Sequence, residues 1–167
     1  MNLTLKAGDY FCVRNDSFLS KLIILQEWIK SLDHEATYSH AGVIVDSNGT
    51  TMESLRKVAH YDLQTHKGCK IIIARHKEMT PENFQKGYNE ILKYNGKVYP
   101  IFRLVFHLLG IAKFLHTSGV PVCSELVVEH CYHAGLCDHD GYGWTPDNLA
   151  DKMRNYNCYD VLYEGIL

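Results

Sequence analysis

Three side chains in this sequence could together do acyl chemistry: Cys123, His40 and Glu53. Cys123 sits in Gly119-Val120-Pro121-Val122-Cys123-Ser124-Glu125-Leu126-Val127-Val128, with apolar or small residues recurring at Leu126, Val127, Cys131 and Ala134. That spacing is one face of a helix, and Gly135 supplies its stop. Pro121 resists extension of the helix towards the N-terminus, so Cys123 falls in the first turn. Unpaired N–H groups and the positive end of the helix dipole there favour thiolate over thiol. A cysteine so placed is a candidate nucleophile; the plainer reading is a small buried core residue. Glu125, two residues on, points about 200° away around the helix. It reads either as a first-turn carboxylate that suits the dipole or as a substrate contact.

A second segment supplies a base. Tyr38-Ser39-His40-Ala41-Gly42-Val43-Ile44-Val45-Asp46 ends in a β-branched run bounded by Ser47-Asn48-Gly49, the pattern of a strand entering a hairpin. Thr50-Thr51-Met52-Glu53-Ser54-Leu55 is the returning strand. Pairing centred near residues 46–47 would set Glu53 opposite His40. A thiol, an imidazole and a carboxylate are nucleophile, general base and orienter of the base. A main-chain carbonyl could orient the imidazole instead, whereas Asp46, six residues along the same strand, is too distant for easy contact. The rival reading in the last third is a structural zinc site of Cys131, His133, Cys137 and His139. Against it, Cys131 and His133 diverge on the expected helix, and no C-x-x-C pair occurs.

These segments carry a resemblance. Gly8-Asp9 before a short strand, Tyr38-Ser39-His40-Ala41-Gly42-Val43, Gly96-Lys97-Val98-Tyr99, Cys123-Ser124-Glu125-Leu126-Val127 and Thr145-Pro146-Asp147-Asn148-Leu149 are similar, in order and spacing, to motifs of the permuted papain-like amidases. These are the circularly permuted branch of the NlpC cell-wall cysteine peptidase superfamily, in which the cysteine follows the histidine, as it does here. The resemblance implies an α+β, papain-like (permuted) fold: a central antiparallel sheet or small half-barrel packed against helices. It implies a cysteine hydrolase (amidase or peptidase) with Cys123, His40 and Glu53 as triad, and a small or cell-wall-type peptide as substrate. Tyr99 and Ser124 would support the oxyanion or bind substrate. Val122 and Pro100 stand where the family often has an aromatic and an aspartate. The alternatives are a thioester-forming acyltransferase or lipid-modifying enzyme on the same scaffold, and a non-catalytic binding domain.

Composition sets the frame. At 167 residues, 46% hydrophobic and 22% charged, the chain suits one domain spanning residues 1–167. A net charge of −2 with scattered basic residues argues against nucleic-acid binding. The start lacks the pattern of a secretory signal, and the most apolar stretch, Ile101 to Leu115, is too short and charged to span a bilayer. The expectation is therefore a cytoplasmic protein with six reduced cysteines, no cofactor and no integral membrane segment. Strands are expected at Tyr10–Arg14, in the hairpin, at Cys69–Ala74 and at Tyr159–Tyr163. Helices are expected from Ser17 to Leu32, from Pro81 to Gly96, over Ile101–Leu115, from Cys123, and from Pro146 through Met153.

Overall fold

The computed structural model describes residues 3–14, 37–98, 119–138 and 144–167. In chain order its elements are β1 (Asp9–Val13), β2 (His40–Ile44), β3 (Thr50–Ser54), β4 (Val58–Asp62), a 3-10 turn (Leu63–His66) and β5 (Lys70–His76). They are followed by α1 (Pro81–Leu92), α2 (Cys123–His133), α3 (Pro146–Asn155) and β6 (Tyr159–Ile166). The strands form one sheet in the order β4-β3-β2-β1-β5-β6, and every neighbouring pair is antiparallel.

The α+β expectation and the central antiparallel sheet hold, but the papain-like (permuted) fold does not. Among the described residues the strands make an open six-stranded sheet with β4 at one edge and β6 at the other, not a half-barrel. β4 is absent from the sequence reading because Val58-Ala59-His60-Tyr61-Asp62 is an edge strand whose polar residues blur any apolar run. The helices expected at Ser17–Leu32 and Ile101–Leu115 lie outside the described residues. Among the described residues no helix is long and apolar enough to cross a membrane.

The helices pack on one sheet face, where Tyr10, Cys12, Val43, Met52, Ile72 and Ala74 meet side chains such as Leu126, Val127, Leu149 and Met153. An isolated helix of 11 residues, the length of α2, is marginal in water. Burial therefore holds α2 in place: Leu126 and Val127 are almost wholly enclosed, each contributing roughly 1.5–3 kcal/mol. Gly87 in α1 allows close approach, since a Cβ there would stand 2.4 Å from the His130 carbonyl oxygen of α2. Thr80 and Thr145 cap α1 and α3 through their hydroxyls, accepting from Asn83 N at 3.1 Å and Asn148 N at 3.2 Å, each with proline in the first turn. The opposite sheet face carries a second apolar cluster that includes Phe11, Val13, Ile44, Leu63, Ile71 and Ile73.

Candidate active site

The hairpin places the base and its carboxylate. Its pairing is Gly42↔Glu53, Val43↔Met52 and Ile44↔Thr51, so Glu53 faces Gly42 and not His40. The pairing centre lies one residue later than expected. Asp46 sets it, its Oδ1 accepting from Asn48 N at 2.8 Å and Thr50 N at 3.0 Å, in a turn completed by Gly49 at φ 89. Because side chains alternate along a strand, His40 and Gly42 share a face, and Glu53 reaches His40 diagonally. Gly42 makes that possible: a Cβ there would lie 2.9 Å from Glu53 Cγ and 2.7 Å from the Phe11 ring.

His40 Nε2 and Glu53 Oε2 are 2.6 Å apart, and both side chains are buried. Glu53 Oε2 also meets His66 Nε2 at 3.0 Å, and Glu53 Oε1 accepts from the Thr51 hydroxyl. The Cys123 sulfur is the other polar group acting on His40, through hydrogen bonding and charge; with Nε2 committed to Glu53, the nitrogen left to face it is Nδ1. Burial alone would push the His40 imidazole down, but hydrogen bonds and charge from Cys123 and Glu53 override it and raise it to about 10. Burial alone would raise the Glu53 carboxyl, yet hydrogen bonds and charge from His40 and His66 hold it at about 2. Both directions favour the charged forms, an imidazolium beside a carboxylate.

Cys123 is the first residue of α2 and is buried. No side-chain cap precedes it, and Glu125 takes the N-terminal role: its Oε2 accepts from Val122 N at 3.0 Å, as the plainer sequence reading has it. The backbone N–H groups of Cys123 and Ser124 have no partner within the helix, which leaves donors beside the sulfur of the kind that hold an oxyanion. Two side-chain ties fix this helix start. Ser54 Oγ, next to Glu53, donates to Pro121 O at 2.9 Å. Ser124 Oγ donates to Trp144 O at 2.6 Å, so that hydroxyl anchors the segment leading into α3. From α3, Asp147 Oδ1 accepts from Thr37 N at 2.8 Å and Tyr38 N at 3.2 Å, fixing the chain just before His40.

The structure thus brings Cys123, His40 and Glu53 together, while Tyr99 lies outside the described residues. His66, Thr51, Ser54 and Asp147 are site-building residues that the sequence reading passes over. His66 is only 4% exposed; no spacing signal marks it, because it reaches Glu53 from the 3-10 turn beyond β4. In the C-terminal third, Cys131 hydrogen-bonds Cys137, whereas His133 pairs with Glu129 at 3.4 Å and His139 lies outside the described residues. The one group of three or more potential metal donors among the described residues is His40, Glu53 and His66, with donor atoms within 4.8 Å of one another.

No protein-family model and no curated protein matches the sequence. Among solved structures the chain is similar to the metalloprotein yiiX from Escherichia coli O157:H7, described as DUF1105. The TM-score is 0.59 at 21% identity, over 98% of this chain and 89% of that one. At that identity the likeness shows a shared fold, and it is this DUF1105 fold that replaces the papain-like one expected from the motifs.

Proposed function

We propose that the protein is a cysteine hydrolase acting on an amide or related acyl bond of a small peptide or acyl substrate. The observation that carries this reading is the buried chain of contacts Cys123–His40–Glu53, with the sulfur at a helix N-terminus. The order and spacing of the motifs resembling the permuted NlpC-type amidases support it.

In this reading Cys123 attacks the substrate carbonyl carbon as the thiolate of a thiolate–imidazolium pair. The oxyanion is held by main-chain N–H groups at the start of α2. His40 then gives its Nδ1 proton to the leaving group, whose bond to carbon breaks to leave a thioester on Cys123. His40, now neutral, takes a proton from water, and the hydroxide equivalent resolves the thioester. Glu53 keeps the imidazole oriented and stabilises its charged form, while Thr51 and His66 orient Glu53. A substrate of cell-wall stem-peptide type comes from the motif resemblance alone.

The test is mass spectrometry of intact protein incubated with a panel of short peptides and activated acyl esters. The expected result is an acyl adduct on Cys123 that decays by water attack and is absent in Cys123→Ala. Transfer of the acyl group to an added amine or lipid in preference to water would favour the acyltransferase alternative. No adduct from any donor, with Cys123 unreactive, would favour a binding domain.

A further inference from the structure

The hydrolase chemistry uses only one of the two imidazoles on Glu53. His66 is buried, reaches the same carboxylate oxygen as His40, and has no part in moving a proton to or from Cys123. From this geometry we propose that His40 Nε2, His66 Nε2 and Glu53 Oε2 form a binding site for a zinc-class divalent cation, whose occupancy excludes the active cysteine–histidine pair. The proposal rests on the hydrolase reading only for its second clause.

The donor chemistry is that of an open zinc site. Two imidazole nitrogens and one carboxylate oxygen make a three-ligand set that leaves a fourth position for water. All three donor atoms fall within 4.8 Å of one another and all three residues are buried. The nitrogen-to-oxygen separations of 2.6 and 3.0 Å are hydrogen-bond distances. They are shorter than the roughly 3.3–3.6 Å between ligand atoms of a tetrahedral ion with bonds of about 2.0–2.2 Å, so a cation requires the imidazoles to draw back from Glu53 by several tenths of an ångström. Glu53 is already shaped for one-oxygen ligation: Oε2 faces both histidines while Thr51 holds Oε1. A hydrogen bond to the distal atom of a ligand is the usual outer support of a metal site. Mixed imidazole and carboxylate donors suit zinc, cobalt or nickel better than calcium or magnesium, which prefer all-oxygen shells.

Exclusion follows from counting lone pairs. The protons now bridging Glu53 to the two imidazoles occupy the nitrogens that a cation needs, so binding releases them to solvent. With the cation on His40 Nε2, the remaining Nδ1 carries the ring proton. That ring can still donate one hydrogen bond towards the Cys123 sulfur, but it cannot become the imidazolium that pairs with the thiolate and protonates the leaving group. A loaded site therefore holds the base without its function.

The experiment is equilibrium dialysis of the full chain against zinc chloride or cobalt chloride alone, with elemental analysis and the electronic spectrum of the cobalt form. The expected result is one cation per chain and no thiolate-to-cobalt charge-transfer band. Affinity should be lost in His66→Gln, unchanged in Cys131→Ser, and weakened about 10- to 100-fold in Thr51→Val, the range for loss of outer-shell support. Alkylation of Cys123 in the zinc-loaded protein should slow to the rate of His40→Ala. Absence of a bound cation in the wild type, a thiolate band, or undiminished binding in a folded His66→Gln would each overturn the site. If His66→Gln does not fold, the wild-type stoichiometry and spectrum decide. A bound cation that leaves Cys123 alkylation unchanged would overturn the exclusion. Failure of the hydrolase reading is seen separately, as an unreactive Cys123 in the metal-free protein.

Discussion

Replacing Glu53 with glutamine is expected to cost about 3–5 kcal/mol of folding stability, the range for removing one partner of a buried ion pair. Glu53 is wholly enclosed and receives His40, His66 and Thr51. An amide in its place turns one acceptor oxygen into an NH2 donor facing groups that also donate. The variant should also change how stability depends on pH. His40 is raised from its ordinary 6.5 to about 10, so its contribution is complete below pH 6.5 and fades as pH rises towards 10. Glu53 is lowered from 4.5 to about 2, so its contribution is complete above pH 4.5 and fades as pH falls towards 2. Burial also depresses His130, to about 4, which removes stability as pH falls from 6.5 towards 4. Urea unfolding across pH should therefore show acid and alkaline limbs in the wild type. In Glu53→Gln the alkaline limb and the acid loss below pH 4.5 shrink, while the His130 loss remains. Identical pH profiles would mean that the Glu53–His40 pair carries no such energy.

Cys123→Ala is expected to lower turnover of any hydrolysed peptide or acyl ester by about 10⁴-fold or more, the scale for loss of a catalytic nucleophile. Folding should be little affected. The side chain is small, and the helix start is held by Pro121, Glu125 and Ser124 through contacts that do not involve the sulfur. Coupled loss of stability and activity would point to a packing role for the cysteine. Loss of turnover at unchanged urea midpoint and slope separates the two. The readout is kcat/KM beside the unfolding curve.

The parts of this site legible in the sequence are those fixed by short-range chemistry. The Cys123 helix announces itself by periodicity and by Pro121 and Gly135, and α1 and α3 by threonine-proline starts. The hairpin shows in its β-branched run and in Ser47-Asn48-Gly49. The register lies one residue later than simple pairing gives, because Asp46 accepts from Asn48 N and Thr50 N across a longer turn. What could not be read is what crosses between elements. His66 comes to Glu53 only because the β4 edge strand and its 3-10 turn fold back over the hairpin. Ser54 and Pro121, 67 residues apart, meet because α2 lies over the end of β3. Asp147 reaches the start of β2 from the far side of the chain. The papain-like fold failed for a related reason: local motifs report what surrounds a cysteine or a histidine, whereas strand order and sheet closure depend on pairings that no motif encodes.

Activation of Cys123 by His40 should be visible in site-resolved alkylation of all six thiols at about pH 6, in metal-free wild type and in His40→Ala. An ordinary cysteine, with a pKa near 8.5, reacts slowly at that pH. Cys123 alone is expected to label quickly despite its burial, and His40→Ala to slow it to the rate of the other cysteines. Labelling of Cys123 no faster than that of the other five, or fast labelling that survives His40→Ala, would contradict it.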